Sequence, residues 1–222
     1  MRYDYIPEVT SNLRKKYIKV PEIIHRECSG IRIFGKHIKS FIFTTDVAII
    51  KNTDADAVMA VYPFTPQLSI TQAILTISDI PVICGVGGGI TNGIRSANVA
   101  LHAEFQGAIG VVLNAPASDE TISSVKEHID IPVIATIVTK DTDFKAKIEA
   151  GADIINVSGG KDTVEIIKLV REAYPRIPII ATGGHTDETI LATIKAGANC
   201  ITYTPPNLAQ LTHELMDKYR EV

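Results

Sequence analysis

The sequence has no excess of positive charge. Across 222 residues, 22 Lys and Arg face 25 Asp and Glu, a formal net charge of -3. Nothing in that balance draws the chain over long range to nucleic acid or to an anionic membrane, so any anion it binds must be held by local groups. No apolar run approaches the roughly 18 residues of a membrane span, and the opening MRYDYIPEVTSNLRKKYIKV is too charged for the apolar stretch of a signal peptide. Cysteine is scarce. Cys28, Cys84 and Cys200 are odd in number, far apart and without a CxxC spacing, which argues against a zinc site or a redox pair. These absences predict a reduced, soluble, cytoplasmic chain with neither nucleic acid nor membrane as partner.

What the sequence does have is a repeated unit. With 45% hydrophobic and 21% charged residues, its composition is that of a globular protein with one sizeable core. From Ser40 onward, eight short apolar runs alternate with helical patterns: SFIFTT, AVMAVYPF, PVICGVGG, AIGVVLNA, PVIATIVT, ADIINVSG, PIIATGG and NCITYTP. The runs are continuously apolar and rich in Val and Ile, as parallel strands buried on both faces are. Between them, segments such as KDTVEIIKLVREAYP repeat apolar residues at helical spacing. Pro81, Pro132 and Pro178 open the third, fifth and seventh runs, where a missing N–H is tolerated. Gly107, Gly151 and Gly197 stand where helices end.

Eight successive strand–helix units predict a (β/α)8 TIM barrel over residues 39–222, since that fold begins near 200 residues and closure leaves no exposed edge. The first helix, within DVAIIKNTDAD, is short. Residues 1–38 form an N-terminal extension capping the barrel, with IRIFGKHI read as a hairpin around Gly35 or a plug at the barrel's bottom.

In this architecture the chemistry lies in the loops that follow the strands. After the seventh run, Gly183 and Gly184 allow close approach of a ligand to the backbone, and Thr186 or Asp187 can cap the following helix. The unpartnered N–H groups of such a helix end favour a phosphate; the alternative is that the glycines only make a tight turn. GVGGGITNG after the third run is a second glycine-rich loop. Its GxGxxG-like spacing lacks the following acidic residue of a dinucleotide site, which leaves Gly87 and Gly88 as a place for substrate to approach the backbone. Ionisable groups at strand ends are few. Asp46 is either a general base or a helix cap. Lys140 and Lys161 lie just beyond the fifth and sixth runs, where a Schiff-base or anion-binding role is open. His185 is a hydrogen-bonding or solvated loop residue, and no convergent set of metal ligands is evident.

From about Asp130 to Pro205 the sequence resembles the aldolase-type and ribulose-phosphate-binding barrels, on the strength of EAGADIINVSGG, IPIIATGG and KAGANCITYTPP. The ATGG turn is similar to the phosphate turn of the keto-deoxy-phosphogluconate aldolases, which implies Thr182, Gly183 and Gly184 as phosphate contacts. Those aldolases carry a Schiff-base lysine within the sixth strand, where this chain has Asn156. The Asp-x-Lys-x-x-Asp motif of the decarboxylase branch is missing from VICGVGGG. The same segment also resembles flavin-dependent barrels such as the nitronate monooxygenases, where the equivalent glycines hold the phosphate of FMN.

The resulting expectation is an enzyme acting on a small phosphorylated sugar or keto compound by aldol-type cleavage or enolisation, hence a lyase or isomerase. Phosphate would be gripped by Thr182, Gly183, Gly184, His185, Thr204 and Asn207. Further contacts would come from Asn114, Thr136, Asn156, Ser158, Gly87 and Gly88, and Asp46, Lys140 or Lys161 would move the proton. Neither metal nor cofactor is required. The alternatives are a non-catalytic barrel that senses a metabolite, or a barrel oxidoreductase with FMN, and assembly into a homo-oligomer is open.

Overall fold

The computed structural model describes residues 7–11 and 13–220; the first six residues of the extension lie outside them. Chain order begins with helix α1 (Glu22–Glu27) and the strands β1 (Ile31–Ile33) and β2 (Lys36–Ile38). It continues through β3 (Ser40–Phe43), α2 (Val47–Asn52), β4 (Ala57–Ala60), α3 (Leu68–Ile77), β5 (Val82–Gly87) and α4 (Gly93–Phe105). Then come β6 (Gly110–Leu113), α5 (Asp119–Lys126), β7 (Val133–Ile137), α6 (Phe144–Glu149) and β8 (Ile154–Val157). A 3-10 turn at Gly160–Asp162 leads to α7 (Thr163–Ala173), β9 (Ile179–Thr182), α8 (Asp187–Lys195), β10 (Cys200–Tyr203) and α9 (Leu208–Arg220). Strands β3 to β10 are parallel and close into a barrel, with β10 pairing back onto β3. The eight apolar runs of the sequence are these eight strands, and the first barrel helix, α2, is short as expected.

Each strand alternates between two cores, which explains why the runs lack polar positions. Outward residues such as Val133, Ala135, Ile155 and Ile201 pack under the helices. Inward residues such as Phe41, Ile83, Ile134 and Ile180 fill the barrel. Strand register arranges the inward side chains in layers drawn from alternate strands. One layer is Phe41, Ile83, Ile134 and Ile180; the next, toward the C-terminal mouth, is Met59, Val112, Asn156 and Thr202.

The extension belongs to both cores. Ile18, Val20, Ile23 and Ile24 join the outer one, through a helix, α1, that the sequence pattern does not signal. β1 and β2 form an antiparallel hairpin turning at Phe34 and Gly35, and its Ile31, Ile33 and Ile38 cluster with the barrel interior. Hairpin and plug are thus one object.

The end of the barrel opposite the mouth is tied by a repeated device. Asp56 Oδ2 accepts from the N–H of Lys39 and Ser40, Asp153 Oδ2 from Val133 N–H, and Asn199 Oδ1 from Ile179 N–H. Each residue just before one strand caps the start of the preceding strand. Lys126 pairs with Asp153 at 2.8 Å, and Arg171 donates to Asn199 and to the carbonyls of Gly197 and Ile177. These contacts satisfy backbone donors that the strands leave over.

Candidate functional site at the mouth of the barrel

Two residues beyond the apolar layer, the inward positions of the later strands turn polar: Thr136 on β7, Asn156 on β8, Thr182 on β9 and Thr202 on β10. With Ser158, Thr204 and Asn114 they line an open cavity of about 420 Å³, whose other wall is Phe43, Met59 and Val61 from the first two barrel strands. The cavity therefore has a hydroxyl- and amide-bearing side and an apolar side. The polar side is built twice: β9-α8-β10 reproduces β7-α6-β8 at a displacement of 46 residues, so that Thr136, Asn156 and Ser158 correspond to Thr182, Thr202 and Thr204.

Within this wall, Asn156 Nδ2 donates to Thr136 Oγ1 at 3.1 Å, and Thr182 Oγ1 donates to Ser158 Oγ at 3.3 Å. Asn156 is 7% exposed and Thr202 5%, yet Asn156 Oδ1 and Thr202 Oγ1 have no hydrogen-bond partner among the described residues. Leaving such a group unsatisfied costs about 1–3 kcal/mol. Thr202 was not among the residues singled out from the sequence. A threonine inside a strand is ordinary, and only its correspondence to Asn156 would have marked it.

An adjoining cavity of about 680 Å³ lies between the loops after β4 and β5 and shares Val61, Asn114 and Ala115 with the first. Gly87 and Gly88 line it, as do Tyr62, Phe64 and Ile90. The phenol oxygen of Tyr62 accepts from Gln67 N–H at 2.8 Å. Gly88 has φ +111°, and a Cβ there would stand 2.2 Å from the carbonyl oxygen of Asn114. The loop after β5 is thus held against the wall between the two cavities by a contact that only glycine permits.

The ionisable candidates are elsewhere. Asp46 is the cap of α2: its Oδ1 accepts from Ala48 N at 2.8 Å and Ile49 N at 3.2 Å. Lys140 is turned away to Glu165, at 2.9 Å, and toward Asp162; the hydrogen bond to Glu165, with the charges of both carboxylates, raises its pKa and keeps it protonated. Lys161 is exposed in the 3-10 turn, and His185 is exposed in the loop after β9. None of the four lines either mouth cavity. Asp46 thus takes the second of the two roles that the sequence left open, a helix cap, and neither Lys140 nor Lys161 lines a mouth cavity. A helix cap and an ion pair to α7 claim the carboxylate and the ammonium of the first two, and the third points to solvent. Among the described residues no group of three or more His, Cys, Asp or Glu side chains is placed to hold a metal ion.

The turn after β9 is shaped for reasons of packing as well. A Cβ at Gly183 would meet Ile201 at 2.8 Å, and Gly184, with φ +84°, lies against Thr189. Thr186 caps α8 and forms a reciprocal box with Thr189. The carboxyl of Glu188 takes a hydrogen bond from the Thr186 hydroxyl and one from its own backbone N–H, which hold it below the usual carboxylate range. An anion at this helix end competes with a carboxylate already there. Asn207 is likewise committed: its Oδ1 accepts from Gln210 N at 2.9 Å while its own N–H donates to Gln210, capping α9. The capping bonds engage its Oδ1 and backbone N–H, while Thr204 stands at the rim of the cavity as a polar side chain from the loop after β10.

No family model matches the chain. It is 31% identical over 137 residues to a protein of Caldanaerobacter subterraneus subsp. tengcongensis named "Putative N-acetylmannosamine-6-phosphate 2-epimerase", a match covering 54% of this chain. The chain spans about half of that relative, 56% of its length. Among solved structures, the phosphoenolpyruvate phosphomutase of Streptomyces platensis subsp. rosaceus superposes with a TM-score of 0.61 at 13% identity, over 83% of this chain and 81% of that one. The 4-hydroxy-tetrahydrodipicolinate synthase of Methylacidiphilum fumariolicum SolV gives 0.60 at 17% identity, over 76% and 68%. The structural likenesses establish the TIM-barrel fold. The relative's name refers to a phosphorylated sugar. No helix of the described chain is long and apolar enough to cross a membrane.

Proposed function

We propose that the protein is an enzyme of isomerase or lyase type that takes a small phosphorylated sugar or keto compound into the mouth of the barrel. The observation that carries this reading is the cavity of about 420 Å³ walled by hydroxyl and amide groups from four consecutive strands at the C-terminal face, where barrels of this kind place their chemistry. The name of the matched relative supports the phosphorylated substrate. The phosphate would lie outermost, between the Gly183–Gly184 turn and Thr204, and the carbon skeleton would reach inward past Thr182 and Ser158. No cofactor enters this reading, with FMN as the alternative occupant of the same glycines.

A second reading, a barrel that binds the metabolite without transforming it, is favoured by one observation. Among the described residues, those lining the 420 Å³ cavity include no carboxylate, imidazole or ammonium, and enolisation needs a group to take the proton. Two measurements separate the two. A thermal-shift panel of sugar phosphates, phosphorylated keto acids, their dephosphorylated forms and FMN identifies the ligand class, since a ligand at about a hundred times its Kd adds roughly 2.7 kcal/mol. Proton NMR in deuterium oxide then reports whether the bound compound exchanges the hydrogen next to its carbonyl. Binding with exchange or turnover supports the enzyme, binding with neither supports the sensor, and stabilisation by none of the phosphorylated compounds sinks both.

A further inference from the structure

We infer that Asn156 and Thr202 together read a hydroxyl group at the inner end of the ligand, so that the site takes a hydroxylated, sugar-like compound rather than a keto acid. The inference rests on the mouth cavity being the ligand site. The layer in which these two residues sit has four members, and the other two, Met59 and Val112, are apolar and buried. Neither can satisfy its polar neighbours. A second pair of apolar side chains would close that layer as the layer beneath it is closed, by Phe41, Ile83, Ile134 and Ile180. Instead Asn156 and Thr202 each bury an oxygen without a partner, a cost that packing alone does not explain.

The chemistry of the pair is specific. Because Asn156 gives its Nδ2 to Thr136, the atom it leaves unpaired beside the cavity is Oδ1, which only accepts. Thr202 Oγ1 can donate as well as accept. A hydroxyl is the neutral group that donates to the first and accepts from the second. A carboxylate or a bare carbonyl would set acceptor against acceptor at Asn156, and no cation on the cavity wall would offset the charge of a carboxylate. Phe43, Met59 and Val61 opposite offer no further polar group, so they suit the less substituted face of the same ligand.

The test uses the full chain and two substitutions, T202V, which keeps the shape, and N156L. Probes are N-acetylmannosamine 6-phosphate, glucose 6-phosphate and phosphonopyruvate. The expected result is that a sugar phosphate stabilises the wild type more than phosphonopyruvate does, and that each substitution weakens the binding of that sugar phosphate by about tenfold or more. The melting temperature of ligand-free T202V should equal or exceed that of the wild type, because the substitution removes an unpaired buried oxygen. A structural role would instead lower it. Wild-type affinity in both variants, or a preference of the wild type for phosphonopyruvate, overturns the inference while leaving the site in place. Failure of all three probes on the wild type, the two phosphate esters and the phosphonate, overturns the inference by removing the site reading beneath it.

Discussion

Replacing Gly88 by alanine, with the same change at Gly89 as its control, isolates the contact that shapes the wall between the two mouth cavities. Both glycines have positive φ, +111° and +83°, so each alanine carries backbone strain of about 1–2 kcal/mol. They differ in what the new methyl meets. At Gly89 nothing lies within 4 Å, whereas at Gly88 the methyl would stand 2.2 Å from the Asn114 carbonyl oxygen and 2.8 Å from its carbon. Separation to van der Waals distance requires the loop to move by about an ångström, and overpacking of that kind adds about 1–3 kcal/mol. Expected losses are therefore about 1–2 kcal/mol for G89A and about 2–5 kcal/mol for G88A. Urea unfolding with an unchanged m-value measures the difference. For a chain of this size each kcal/mol moves Tm by roughly 2–4 °C. Because relief displaces the loop from Asn114, G88A should also weaken whichever phosphate ester the thermal-shift panel identifies, and G89A should not. Equal stabilities within about 0.5 kcal/mol, with equal affinities, would refute the close approach.

Two other outcomes follow from burial. Ile38, 1% exposed inside the barrel, should cost about 2–5 kcal/mol as I38A, while F34A at the exposed tip of the same hairpin should cost under about 0.5 kcal/mol; similar small losses in urea would show that the hairpin merely lies on the surface. Burial raises the thiol of Cys84 to about 12 and that of Cys28 to about 11, so the stability they contribute is complete below the unfolded thiol pKa near 9 and lost as pH rises toward those values. Each then removes up to roughly 1.4 kcal/mol per pH unit, and C84A should show a shallower alkaline loss than the wild type; identical slopes would contradict it.

Asp46 and Lys140 show what order along the chain leaves open. Both stand just past a strand, the place from which a base or a Schiff-base lysine would act, and order along the chain places them no further. Whether such a side chain turns into the barrel or out to a neighbour depends on what the neighbour offers. The first turn of α2 offers Asp46 two N–H groups, and α7 offers Lys140 the carboxylate of Glu165. Asn114, Thr136, Asn156, Ser158, Thr182 and Thr204 could be placed at the mouth because each stands near the C-terminal end of a strand, and the structure gathers all six in one cavity. α1 was not legible: at six residues, with Pro21 before it and no side-chain cap, it forms because Ile23 and Ile24 are buried rather than from local preference.

By itself the sequence determined the barrel, since alternation of apolar runs with helical patterns, punctuated by proline at strand starts and glycine at helix ends, is written in local sterics and hydrogen bonding. Only the tertiary structure decided which side chains share the mouth cavity. Closure of eight strands brings Met59, Val112, Asn156 and Thr202 into one layer, and that is where two buried oxygens are left without partners. A side chain's polarity is a property of the chain, but whether it is satisfied depends on neighbours that only the closed barrel supplies.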